Sequence, residues 1–184
     1  MTWRVGALVL VVLAAAAAVV GAVPLARDVV AGRGTPVIED VPGPDTGPVC
    51  PVDERYVDEE PAGLRDDVLA AWRALRSAAQ ESGVPLCLND GKRSAGQQRA
   101  EFDEAVRRFG TPELAANYVL PPERSNHVKG FAVDVQPWAA AEWVAANGGV
   151  HGWCRRYENE YWHFEYDPAH PQGCPAMLPD ATAG

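Results

Sequence analysis

Two short blocks of this sequence hold the side chains best suited to chemistry: Ser125-Asn-His127-Val-Lys-Gly130-Phe-Ala-Val-Asp134 and Glu158-Asn-Glu160-Tyr-Trp-His163-Phe-Glu-Tyr166. Side chains alternate along a strand, so a strand from Phe131 puts Phe131, Val133 and Val135 on one face and Ala132 and Asp134 on the other. Asp134 is then a carboxylate opposite an apolar face, with Gly130 allowing a kink between it and His127. In the second block Trp162, Phe164 and Tyr166 form an aromatic stripe that reads as core, while His163 points the other way. If the two strands pair, Asp134 and His163 converge on one sheet face and His127 closes the set. Two imidazoles, a carboxylate and a water make a catalytic zinc site with an open fourth position. Glu160 reaches that water if the second strand begins with a bend. It then acts as general base, zinc lowering the water's pKa to about 7.

The order Ser125-x-His127-x-x-Gly130-x-Ala132-x-Asp134 followed by Glu160-x-x-His163 resembles the signature of VanY-type zinc D-Ala-D-Ala carboxypeptidases. That family is grouped with VanX dipeptidases and with hedgehog-like and lysostaphin-like zinc folds. The resemblance implies one zinc ion per chain held by His127, Asp134 and His163, with Glu160 as catalytic base. Upstream, Arg93-Ser94 and Gln98 match a further family element. They imply that Arg93 polarises the scissile carbonyl and stabilises the oxyanion, a task for a fixed planar cation. Ser94, Gln98 and Ser125 are implied as substrate contacts. The resemblance runs from about Trp72 to Tyr166, with one departure: Lys92 stands where the family often has an aromatic residue, which bears on substrate preference.

The function implied is removal of a terminal D-Ala from peptidoglycan stem peptides outside the membrane. One alternative of the same fold is an endopeptidase or L,D-carboxypeptidase. Another, of a different class, is a non-catalytic zinc module that binds cell wall or a protein; it would need neither Glu160 nor Arg93. No Gly-x-Ser-x-Gly or Ser-x-x-Lys element is present to supply a serine nucleophile.

Several elements must position these residues. Leu64, Val68, Trp72, Leu75 and Ala79 recur at helical spacing and predict an amphipathic helix ending before Gly83. Val84 to Leu88 reads as a short strand stopped by the turn Asn89-Asp90-Gly91. Ser94 to Gln97 has capping-box form, opening a helix with Phe102, Val106 and Phe109 on one face. Thr111-Pro112 starts a third helix, and Pro137 to Ala146 a fourth, closed by Asn147-Gly148-Gly149. Strands are expected at Phe131–Val135 and Tyr161–Tyr166. Helices first and strands later indicate an α+β fold with a small antiparallel sheet carrying the zinc site, flanked by N-terminal helices. The pairs Arg107-Arg108 and Arg155-Arg156 read as solvated, and His151 and His170 as ordinary loop residues.

The formal net charge of −9 excludes a nucleic-acid partner, which would need clustered cations. Residues 5–26 form an uncharged apolar run after a basic start. That length suits either a membrane anchor or a cleaved signal peptide, so the domain is expected outside the membrane, anchored or secreted. Residues 27–49 read as a Pro/Gly-rich spacer, 50–178 as a zinc peptidase domain and 179–184 as a tail, in a monomer. Cys50, Cys87, Cys154 and Cys174 lack metal-type spacing and fit disulfides of an exported domain. Sequence alone allows three pairings. Cys154–Cys174 is favoured because the two bracket one strand, leaving Cys50–Cys87.

Overall fold

The structure, a computed structural model, describes residues 47–184. The expected anchor and most of the spacer lie outside the described residues. Among those described, no helix is long and apolar enough to cross a membrane.

Helix α1 (Asp66–Glu81) forms where the helical apolar spacing predicts it, and it buries Val68, Trp72, Leu75 and Ala79. Strand β1 (Cys87–Asp90) starts later than expected. Pro85 has no backbone N–H to offer a ladder, so the stretch before Cys87 stays outside the sheet. Helix α2 (Ala95–Phe109) begins with the full capping box, the Ser94 hydroxyl accepting from the Gln97 amide while the Gln97 side chain accepts from the Ser94 amide. Helix α3 (Pro112–Ala116) starts at the Thr111 cap, and α4 (Asn126–Lys129) is a single turn absent from the sequence reading. Strand β2 (Ala132–Gln136) leads through a cis Gln136–Pro137 peptide into α5 (Trp138–Asn147). Strands β3 (Trp153–Arg155) and β4 (His163–Tyr166) complete the sheet, and β3 was also unforeseen.

The four strands pair antiparallel in the order β1-β2-β4-β3. Leu88 faces Val135 and Val133 faces Phe164 across the ladders, so these side chains share one face of the sheet. There they meet Trp153 and the buried stripes of α1 and α5 in a single core. Trp72 and Trp153 cross edge to face, ring centroids 6.0 Å apart, an arrangement aromatic pairs favour. The mixed helix and small antiparallel sheet match the expected α+β class.

Three details of the reading change. Trp162 is not part of a core stripe: it precedes β4 and lines a cleft on the opposite face. On α2 the fully buried positions are Gln98 and Ala105, while Phe102, Val106 and Phe109 are only half-buried, because that helix borders the cleft rather than the core. Residues after Leu178, set apart as a tail, return Ala181 to the cleft wall, 5 % exposed.

Both disulfides form in the favoured pairing. Cys50–Cys87 ties the start of the described domain to β1, and Cys154–Cys174 ties β3 to the C-terminal segment.

Candidate metal centre and its cleft

The sheet face opposite the core carries the polar residues. Asp134 on β2 and His163 on β4 are direct cross-strand partners, so their side chains emerge side by side. Glu165, two residues along β4 from His163, shares that face. β1 joins through a bulge: Leu88 pairs with Val135, yet Asp90 rather than Asn89 pairs with Asp134. The extra residue turns Asp90 onto the cleft face, where plain alternation from Leu88 would have put it in the core.

His127 arrives from α4. Ser125 caps that turn, its hydroxyl accepting from the Val128 amide, and Gly130 ends it in the left-handed region at φ 78°. A residue with a Cβ is strained there, so glycine fixes the step from His127 into β2. His127, Asp134 and His163 are all buried and offer one ligand atom each to a common point.

The two imidazoles are held in opposite senses. A carbonyl oxygen only accepts, so His127 Nδ1 donates to Gly91 O at 2.7 Å, leaving Nε2 to face inward. His163 Nε2 donates to Glu165 Oε1 at 3.2 Å, and its Nδ1 faces inward. The inward atoms lie 3.0 Å (His163 Nδ1 to Asp134 Oδ1), 3.2 Å (His127 Nε2 to His163 Nδ1) and 3.3 Å (His127 Nε2 to Asp134 Oδ1) apart. Tetrahedral zinc with bonds of about 2.0–2.1 Å separates its ligand atoms by about 3.3 Å. The donor set, its burial and its spacing therefore fit that ion.

The charges of these groups offset one another. Burial opposes ionisation of Asp134, but the neighbouring His127 and His163 outweigh it and hold this carboxyl well below its usual range. Burial likewise disfavours charge on His163, and its bonds to Asp134 and Glu165 prevail, pushing it up to about 10. Burial would raise Glu165 too, yet its bond from His163, aided by Asn126 and Tyr157, holds it at about 2. Glu160 is different. Burial dominates there and pushes it up to about 7. Its Oε1 is buried without any hydrogen-bond partner. It reaches the cleft by the expected bend, the His163 amide donating to Glu160 O at 3.4 Å across the turn before β4.

Arg93 lines the same cleft. Nε donates to Asp90 at 2.6 Å, Nη1 to Gln98 Oε1 at 3.1 Å and Nη2 to Asp134 Oδ2 at 3.1 Å, while Nη1 also pairs with Glu101 at 3.0 Å. Burial would weaken its charge, but these carboxylates overcome that and raise its pKa. Asp134 thus turns one oxygen to the imidazoles and the other to Arg93.

The remaining expected substrate contacts divide. Ser125 and Gln98 line the cleft, and both are buried. Gln98 is spent inside the protein, bridging Arg93 and Leu120 O. Ser94 is exposed, outside the cleft lining and occupied as the α2 cap. Lys92 also points away from the cleft, donating to Arg93 O and Val128 O and so locking the β1–α2 link onto α4. His151 and His170 lie outside the cleft lining, each in a short 3-10 helix rather than a loop, and His170 Nδ1 donates to Gly152 O at 2.9 Å. Arg156 is not a free loop cation: its Nε lies 3.4 Å from Glu165, with the side chain 18 % exposed.

Sequence reasoning passed over Glu165, Tyr157, Asn126 and Asp90. Glu165 accepts from Asn126 Nδ2 at 2.7 Å and from the Tyr157 hydroxyl at 3.0 Å besides His163. The Tyr157 ring stacks on His163 with centroids 5.1 Å apart. Period-2 alternation from His163 was the signal for Glu165. Nothing local announces Tyr157, and the bulge hides Asp90.

The three ligand residues, Glu160, Arg93, Ser125, Gln98, Asn126, Tyr157 and Glu165 all line one cleft of about 550 Å³. Comparison with known proteins agrees with what it holds. YodJ of Bacillus subtilis (strain 168), a carboxypeptidase by name, is 27% identical over 123 residues, covering 58% of this chain and 45% of that protein. The chain thus spans less than half the length of this curated relative. Among solved structures, the vancomycin resistance D,D-pentapeptidase VanY, complexed with Zn(II), shares the fold at TM-score 0.53 and 24% identity, over 56% of this chain and 72% of that one. The LD-carboxypeptidase LdcB gives TM-score 0.50 at 26% identity, over 56% of this chain and 58% of that one. Residues 61–171, more than half of the chain and all of the His127, Asp134, Glu160 and His163 constellation, match the family described as VanY, D-alanyl-D-alanine carboxypeptidase, and the chain belongs to that family.

Proposed function

We propose that this protein is a zinc-dependent D,D-carboxypeptidase that removes the terminal D-Ala from peptidoglycan stem peptides outside the membrane. The observation that carries the reading is Glu160 Oε1, buried and unpartnered in the same cleft as the His127, Asp134 and His163 ligand atoms. A purely structural metal site has no use for such a group, whereas a general base must keep its oxygen free and its pKa near the working pH. The D,D preference follows the family's description, and the location is supported by the two disulfides and the apolar run at residues 5–26.

His127, Asp134 and His163 would hold a zinc ion, which would supply a Lewis acid for the scissile carbonyl and for the attacking water. Glu160 takes the proton of that water at Oε1 and returns it to the amine of the departing D-Ala. Arg93 supplies positive charge to the developing oxyanion. Its N–H groups are already engaged, so the substrate must take the place of one partner. Glu101, with 42% of its side chain exposed, is the least enclosed of the three carboxylates on Arg93 and the one a substrate oxygen can replace.

Defined tripeptide, tetrapeptide and pentapeptide stems separate the readings. D-Ala release from the pentapeptide supports the D,D-carboxypeptidase, and release from the tetrapeptide alone supports an L,D-carboxypeptidase, the activity named for LdcB. No release by zinc-loaded protein supports the non-catalytic module. Glu160→Ala is expected to abolish release while zinc content stays at one per chain; an active Glu160→Ala removes this residue from the role.

A further inference from the structure

The cleft continues well beyond the metal centre. Gln98, Glu101, Ala105 and Arg108 follow one another on α2 at spacings of three and four, so they occupy one face of the helix, and all four line the cleft. At about 1.5 Å of rise per residue, Arg108 lies about 15 Å along α2 from Gln98, the partner of Arg93. Tyr118, Val119 and Leu120 line this part of the cleft as well.

Three side chains meet at the far end. The rings of Phe109 and Tyr118 stack with centroids 4.7 Å apart and planes 12° from parallel. Tyr118 is 47% exposed, so this pair offers an accessible aromatic surface. The Arg108 guanidinium lies 5.2 Å from the Phe109 ring centroid. Before a substrate oxygen displaces it, Glu101 pairs with Arg93, and Glu104 pairs with Arg107. Arg108 makes no ion pair among the described residues. Both arginines are exposed, as the sequence reading has them, and Arg108 in addition lines the cleft wall while Arg107 does not.

We infer that Arg108, with the Phe109–Tyr118 pair, forms a distal subsite for an anionic side group of the peptide substrate, about four residues to the N-terminal side of the scissile bond. The inference rests on the carboxypeptidase reading. Such an enzyme needs room for one residue on the leaving side, so an arm of about 15 Å receives the N-terminal side of the substrate. An extended peptide advances about 3.3–3.6 Å per residue, which sets the distance at about four residues. The guanidinium meets a carboxylate as a fork, and the aromatic pair covers the apolar atoms that carry it. A stem peptide with a free carboxylate there is held more firmly than one with a carboxamide.

The test uses two synthetic peptides ending in D-Ala-D-Ala that differ only by Glu or Gln at the residue four positions before the scissile bond. Binding is measured by calorimetry, and D-Ala release in parallel, with zinc-loaded wild type, Arg108→Ala, Arg108→Glu and Arg107→Ala. Wild type is expected to bind the Glu peptide roughly two- to fivefold more tightly, the range of a solvent-accessible ion pair. Arg108→Ala removes that preference, Arg108→Glu reverses it and Arg107→Ala keeps it. Equal binding of both peptides by wild type, or a preference that survives Arg108→Glu, overturns the subsite. Preference without D-Ala release supports the subsite and counts against the carboxypeptidase; release without preference does the reverse.

Discussion

Substituting Glu160 by Gln should stabilise the metal-free protein increasingly as pH rises above about 4.5, and fully above about 7. Burial pushes Glu160 from an ordinary 4.5 up to about 7. Between those values the folded protein holds a proton that the unfolded chain has released, so unfolding becomes easier as pH rises. Below 4.5 both states are protonated and nothing is lost; above about 7 both are ionised and the full penalty applies. At about 1.36 kcal/mol per pH unit, the interval amounts to about 3 kcal/mol. Gln has nearly the same shape and never ionises, so it escapes this penalty. For a domain of this size, about 3 kcal/mol corresponds to a melting temperature roughly 10 °C higher. Thermal melts of wild type and Glu160→Gln in excess chelator at pH 4.5 and pH 8 measure it. The two proteins should melt nearly together at the lower pH and about 10 °C apart at the higher. An offset that is the same at both values would show that Glu160 is not a desolvated carboxyl, and the case for a poised base would fall with it.

Two further outcomes follow from the same site and its frame. Glu165→Ala removes the acceptor for His163 Nε2, and loss of such an orienting partner typically weakens metal binding 10–100-fold; titration against a chromophoric chelator checks this, and unchanged affinity would refute the orienting role. Replacing Cys50 and Cys87 by Ser opens a loop closed across 37 residues and should cost about 4 kcal/mol, measured by urea unfolding; a loss under about 1 kcal/mol would mean the bridge restrains little.

Much of the site was legible because strand alternation is a strict rule. Asp134 and His163 sit where period 2 puts them, and the capping box of α2 and the apolar spacing of α1 set helices that frame them. What escaped the sequence lies where regularity breaks. One bulged residue carries Asp90 to the polar face of the sheet against Arg93, and a turn before β4 diverts Trp162 from the core stripe into the cleft. The family resemblance implied Ser94 as a substrate contact, but its hydroxyl is consumed in starting α2. Tyr157 reaches His163 from a loop whose path depends on long-range pairing with Leu178, a contact no local pattern encodes.

The polar joints of the cleft also bear on how the site is assembled. His127 to Gly91 spans 36 residues, Asn126 to Glu165 spans 39 and Arg93 to Asp134 spans 41. Contacts this distant in sequence form only after the loops between them close, at an entropic cost no local element repays. A nascent or partly unfolded chain accordingly holds the right residues but no assembled centre. The metal centre therefore depends on the sheet pairing and loop closures that bring these partners together.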